Sequence, residues 1–152
     1  MKEVVIVDAI RSPIGKVGGT LSVVRPDDLL ADVLKGLMTR TGINPVLIED
    51  VYAGCGNQAG EDNRDVARMA GLLAGFPTSV GGVTINRNCS SGLEAVNQAA
   101  KAIIAGEGHV FIGCGVESMS RAPLIMPRPS TLPRLGHRSV IDSTVGLSLI
   151  HI

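Results

Sequence analysis

Tryptophan is absent from this 152-residue chain, and it has only one tyrosine and two phenylalanines. Readers of single-stranded nucleic acid stack bases on aromatic rings, so that class is disfavoured at once. No stretch approaches the roughly 18 consecutive apolar residues of a membrane-spanning helix. The start of the chain lacks the charged segment, long apolar run and small-residue cleavage site of a secretory leader. Cysteine is scarce, three residues with no Cys-x-x-Cys pair. That argues against a disulfide framework and a zinc ribbon, and points to a reducing, cytoplasmic setting. Charge is low at 18% and balanced, 14 basic against 14 acidic groups, so no overall field draws in nucleic acid or an acidic membrane.

Small aliphatic residues and glycine fill the space left by the aromatics. Hydrophobic residues reach 45% and glycines number 19, enough for a close-packed core and too apolar for a disordered chain. The zero net charge hides a division. Residues 1–120 carry 10 basic and 13 acidic groups, whereas residues 121–152 carry four arginines and one aspartate. Four of the eight prolines fall between Pro123 and Pro133. The composition therefore shifts near Ser120, and residues 121–142 read as an extended loop.

Before that boundary, apolar runs alternate with helical patterns. Residues 4–7 predict a short strand buried on both faces. Pro26 suits a first helical position, with Asp27 and Asp28 in the first turn. Leu29, Leu30, Val33, Leu34, Leu37 and Met38 follow at helical spacing up to Gly42. Strands are expected over 50–53, 82–86 and 110–112. Helices are expected over 64–74 and 90–105, the latter burying Leu93, Val96, Ala100 and Ile103. Single helices between strands, without hairpin signals, predict an α/β fold with a parallel sheet.

The sharpest chemical feature is Asn86-Arg87-Asn88-Cys89-Ser90-Ser91-Gly92-Leu93-Glu94-Ala95. Cys89 falls where strand turns into helix, a place where free N–H groups and the helix dipole favour a thiolate. Ser90, Ser91 and Gly92 add no bulk, leaving room for a substrate carbonyl beside the sulfur. The competing reading makes Cys89 a small buried hydrophobe, as most free cysteines are. Cys55 and Cys114 lie between glycines at predicted strand ends, with no helix directly behind them, and read as packing residues. Gly54, Gly56 and Gly60 miss the dinucleotide fingerprint by one residue. The following acidic segment, with Glu61, Asp62 and Asp65, opposes a pyrophosphate, so that site is rejected. Arg64 and Arg68 are expected to pair locally with Glu61 or Asp65 on a solvated face. His109 reads as structural and His137 as a loop residue. No set of residues has metal-ligand spacing, and no histidine is a convincing base for Cys89.

Residues 86–95 resemble the nucleophile segment of the thiolase family. So do 54–69 (Gly-Cys-Gly-Asn-Gln-Ala-Gly-Glu-Asp-Asn-Arg-Asp-Val-Ala-Arg-Met), 115–123 (Gly-Val-Glu-Ser-Met-Ser-Arg-Ala-Pro) and 7–15 (Val-Asp-Ala-Ile-Arg-Ser-Pro-Ile-Gly). The resemblance implies a thiolase-like, parallel-rich mixed sheet with alternating helices, the first half of a duplicated fold. It assigns 1–120 to the N-terminal α/β domain and 121–146 to the start of an inserted loop region. Residues 147–152 resemble a translated sequencing-adapter end and are read as a non-native tail.

By the same resemblance, Cys89 accepts an acyl group from a 3-oxoacyl-CoA, releases acetyl-CoA and passes the acyl group to a second CoA, or runs the reverse condensation. Its backbone N–H forms part of the oxyanion hole, and Gly92 lets the helix start close to the thioester. Coenzyme A is a substrate, and no cofactor or metal is implied. The partners are acyl-CoA and CoA, with a homodimer or homotetramer at full length and neither nucleic acid nor membrane. The 57–65 block and the Cys-Ser-Ser-Gly-Leu variant favour 3-oxoacyl-CoA thiolases, including the 3-oxoadipyl-CoA type. The family's activating histidine, second cysteine and asparagine-bearing oxyanion segment find no match in these residues, so the chain alone is expected to be inactive. A non-catalytic lipid-binding or scaffold relative and a 3-oxoacyl synthase-type condensing enzyme remain as alternatives.

Overall fold

A computed structural model describes residues 2–58, 60–128 and 138–145. Three parallel strands form its centre: β1 (Asp50–Gly54), β2 (Gly81–Ile85) and β3 (Phe111–Gly115), in the order β2-β1-β3. Helices α1 (Pro26–Thr41), α2 (Val66–Leu73) and α3 (Ser91–Ala105) alternate with them, so the α/β expectation holds.

The alternation of strand side chains assigns the two faces. Val51 and Ala53 of β1 and Ile112 of β3 join the core built with α1 and α2, whose contributors include Leu30, Leu34, Val66 and Ala70. Tyr52, Gly54 and Gly113 point the other way, toward α3. At Gly54 the sheet and the start of α3 touch backbone to backbone. A Cβ there would come within 2.5 Å of the Ser91 carbonyl oxygen. Gly113 lies equally close to the backbone of Val96, where a Cβ would meet its Cα at 2.7 Å. Gly54 and Gly113 thus serve a specific end, a helix laid directly on strand backbone.

Three expectations need correction. Residues 4–7 form no strand, and three of the four are exposed, Val5 66%, Ile6 79% and Val7 75% accessible. A strand exists through its ladder, and residues 4–7 take no part in the pairing of β1 with β2 and β3. A cavity of about 960 Å³ lies among this run, α1, α3 and β3. In α3, the buried positions are Ser91, Glu94, Ala95, Ala99 and Ala102, whereas Leu93 is 68% and Val96 38% exposed. Four of these five buried side chains are small, in keeping with a helix whose backbone touches Gly54 and Gly113 of the sheet. Among the described residues neither Arg64 nor Arg68 pairs with a carboxylate; the Arg68 guanidinium donates to the carbonyls of Val80 and Thr78. Asp65 instead caps α2, accepting from the Arg68 N–H at 3.2 Å and the Thr84 hydroxyl at 2.8 Å.

The loop expectation for 121–142 holds in part. A 3₁₀ turn (Met119–Arg121) leads to a two-residue antiparallel ladder of β4 (Leu124–Ile125) with β5 (Ile141–Asp142). Residues 129–137, which include His137, and the tail 147–152 lie outside the described residues.

Charged groups tie the loop after β1 to its neighbours. Arg25 clasps the fully buried Asp27 through Nε and Nη2, at 2.9 and 2.6 Å, and Nη2 also donates to the Glu61 carbonyl. Arg121 donates to the Glu61 carboxylate and to the Val23 carbonyl. Burial opposes ionisation of Asp27, but the hydrogen bond and charge of Arg25 outweigh it and hold the carboxyl below its usual range. Asp27 therefore stabilises the fold above its unfolded-state pKa, and that contribution is lost as pH falls through the lower folded value. Asp27→Asn is expected to lower the urea midpoint at about pH 7 and much less at about pH 3, as denaturation at the two pH values would show.

Candidate active site

The segment from β2 to α3 is a tight elbow. Asn88 has φ 50°, the left-handed region that asparagine tolerates better than most residues. The Ser91 hydroxyl closes the turn, accepting from the Arg87 N–H at 2.8 Å and donating to the Asn88 carbonyl at 2.6 Å. Ser90 and Ser91 N–H groups donate to the Arg87 and Asn88 carbonyls, each at 3.1 Å. Cys89 sits on the outside of this turn, exposed, two residues before α3 begins. A helix amino end offers unpaired N–H groups and a partial positive charge to whatever approaches. Access is open, since a Cβ on Gly92 would meet no atom within 4 Å.

The first turn of α3 also carries Glu94, which accepts from Gln98 at 2.6 Å and lies 3.4 Å from Arg87 and 3.7 Å from Lys101. The Gln98 hydrogen bond, and then the two cations, lower its pKa and keep it ionised beside the helix start.

The other two cysteines differ sharply. Cys55 is buried, and that burial, followed by the nearby Glu117 charge, pushes its thiol up to about 12. Burial pushes the Cys114 thiol up to about 12 as well, and its sulfur lies 3.4 Å from the Tyr52 carbonyl oxygen. Neither is a nucleophile at neutral pH, in keeping with their reading as packing residues. His109 is exposed, and its backbone N–H donates to Glu49. Among the described residues no cluster of histidine, cysteine and carboxylates is arranged to hold a metal.

Composition and spacing missed the residues that hold the elbow in place. The Glu117 carboxylate accepts from the N–H groups of Gly56 (2.6 Å) and Asn57 (3.0 Å). The Gly56 carbonyl accepts from Asn86 Nδ2 at 2.8 Å, and Asn86 Oδ1 accepts from the Asn88 N–H at 2.9 Å. The Asn-x-Asn pattern before Cys89 was the available signal, because asparagine side chains commonly bond to the backbone two residues on. The partner from the loop after β1 left no local trace.

Residues 4–151 match the family described as "Thiolase, N-terminal domain". Over 151 residues the chain is 50% identical to a beta-ketoadipyl-CoA thiolase of Pseudomonas aeruginosa, covering 99% of this chain and 37% of that protein. It is 53% identical to a 3-oxoadipyl-CoA/3-oxo-5,6-dehydrosuberyl-CoA thiolase of Escherichia coli K12, covering 99% and 38%. Among solved structures, the acetyl-CoA acetyltransferase of Bacillus anthracis superposes with a TM-score of 0.84 at 38% identity, over 93% of this chain and 36% of the other. The chain thus spans somewhat more than a third of the length of these proteins.

Proposed function

The chain belongs to the thiolase family, as its N-terminal domain, and from that premise we propose that it carries the nucleophile of an enzyme transferring acyl groups between CoA thioesters. The observation that supports this best is the contrast among the three cysteines. Cys89 is exposed at the amino end of α3, whereas burial raises the pKa values of Cys55 and Cys114.

In the thiolytic direction, the Cys89 sulfur attacks the 3-oxo carbonyl carbon of a 3-oxoacyl-CoA. The bond between C2 and C3 breaks, its electron pair leaves with C2, and protonation there gives acetyl-CoA. The sulfur of a second CoA then attacks the acyl–Cys89 thioester, giving the shortened acyl-CoA and returning the thiol. The backbone N–H of Cys89 is assigned to stabilising the oxyanion of each addition. The proton transfers fall to a histidine and a second cysteine of the remaining part of the protein. General acid–base groups contribute about 10²–10⁴-fold, so the 152 residues alone turn over little. No cofactor beyond the CoA substrates is required, and the full-length enzyme is a cytoplasmic homodimer or homotetramer.

The names of the similar proteins favour a dicarboxylic substrate of the 3-oxoadipyl-CoA type. The test is a full-length fusion of residues 1–145 to the C-terminal part of such a relative. It is expected to cleave 3-oxoadipyl-CoA faster than acetoacetyl-CoA and to lose turnover on Cys89→Ala. An active Cys89→Ala fusion would overturn the assignment. Measurable thiolysis by the 152-residue chain alone would overturn the division of labour.

A further inference from the structure

The hydrogen bonds around Cys89 form a directed chain that the acyl-transfer reading does not use. Glu117 follows β3, Gly56 follows β1, and Asn86 follows β2, so three parallel strand ends converge beside the elbow. The Glu117 carboxylate takes two adjacent backbone N–H groups, Gly56 and Asn57, which fixes the turn after β1. The Gly56 carbonyl is thereby presented to Asn86 Nδ2, and this bond orients the side-chain amide. Asn86 Oδ1 then holds the Asn88 N–H, at the residue whose left-handed backbone turns the chain into Cys89. Asn86 and Glu117 are both solvent-exposed, so neither is needed to fill the core. The Asn86 side chain is committed to backbone groups, and the Glu117 carboxylate to two backbone N–H groups and, at 3.8 Å, the Cys55 thiol.

We propose that Asn86 is a positioning residue for Cys89 and that Glu117 acts on Cys89 through it, by way of the Gly56 carbonyl. This rests on Cys89 being the reactive thiol. The relay holds the elbow, and with it the side chain of Cys89, in one orientation two residues before α3 begins. An elbow freed from the relay samples other orientations.

The readout is the iodoacetamide alkylation rate of Cys89 in the 152-residue chain, followed peptide by peptide by mass spectrometry. Asn86→Ala is expected to slow Cys89 about five- to tenfold, as losing one or two net hydrogen bonds implies. Glu117→Ala should slow it less, and Glu117→Gln, which keeps one acceptor, less still. The double variant should be no slower than Asn86→Ala, because Glu117 has no other route to the sulfur. Asn86→Asp keeps the acceptor for Asn88 but sets oxygen against the Gly56 carbonyl, and should behave like Asn86→Ala. Its thermal midpoint, measured beside that of the unsubstituted chain, shows that the comparison is between folded proteins.

Multiplicative effects in the double variant would overturn the relay, and so would Asn86 variants reacting at the unsubstituted rate. The nucleophile reading is judged separately, by whether Cys89 of the unsubstituted chain reacts faster folded than unfolded.

Discussion

Gly54→Ala is expected to destabilise the domain by about 3 kcal/mol or more and to lower its thermal midpoint by about 10 °C. Overpacked cores often recover by shifting a side-chain rotamer. Here the added methyl would meet the Ser91 carbonyl oxygen and the Gly92 nitrogen, which are backbone atoms with no rotamer to change. Relief requires the amino end of α3 to lift off β1, and the elbow carrying Cys89 lifts with it. Circular dichroism melts check the first effect, and a slower Cys89 alkylation checks the second. Gly92→Ala is the matched control. The same methyl in the same turn of α3 meets nothing within 4 Å, and its midpoint should stay within a few degrees of the unsubstituted chain, about the size of a helix-propensity change. Equal losses at the two glycines would show that backbone contact between β1 and α3 is not what Gly54 protects.

In the folded chain at neutral pH, Cys89 is expected to react with iodoacetamide about five- to tenfold faster than in urea, while Cys55 and Cys114 react far more slowly folded than unfolded. The signs differ because folding does opposite things to the three sulfurs. It buries Cys55 within the core and sets the half-buried Cys114 against the Tyr52 carbonyl, raising the cost of a thiolate at each. It leaves Cys89 in the open, two residues before a fifteen-residue helix whose amino end presents unpaired N–H groups to an approaching reactant. Exposure alone would make Cys89 the most reactive of the three when folded, but it cannot make it more reactive than in the unfolded chain. A Cys89 rate that rises in urea would therefore count against activation by the elbow.

Much of this architecture follows from local chemistry. Pro26 with Asp27 and Asp28 opens α1, and the left-handed Gly42 closes it, as the sequence implies. All three strands fall where they are expected, the last running three residues further than expected, because short apolar runs between glycines have few other uses in an alternating chain. Cys89 at a strand-to-helix junction was legible for the same reason. The inward face of α3 was not. Helical periodicity puts Leu93 and Val96 inside, but α3 lies on the sheet backbone to backbone, Ser91 and Gly92 against Gly54 and Val96 against Gly113, which leaves Leu93 68% and Val96 38% exposed. Nor could residues 4–7 be read correctly from their β-branched apolar run, since a strand needs a ladder partner that its own residues do not specify.

By itself, then, the sequence determined the alternation of elements, their caps, the family and the cysteine at the elbow, because these depend on residues within a few positions of one another. Only the tertiary structure decided how far each cysteine is buried, which face of α3 is buried, and that Glu117 and Gly56 reach Asn86 beside Cys89. Those outcomes depend on parallel strand ends that are tens of residues apart in the chain and adjacent in the sheet.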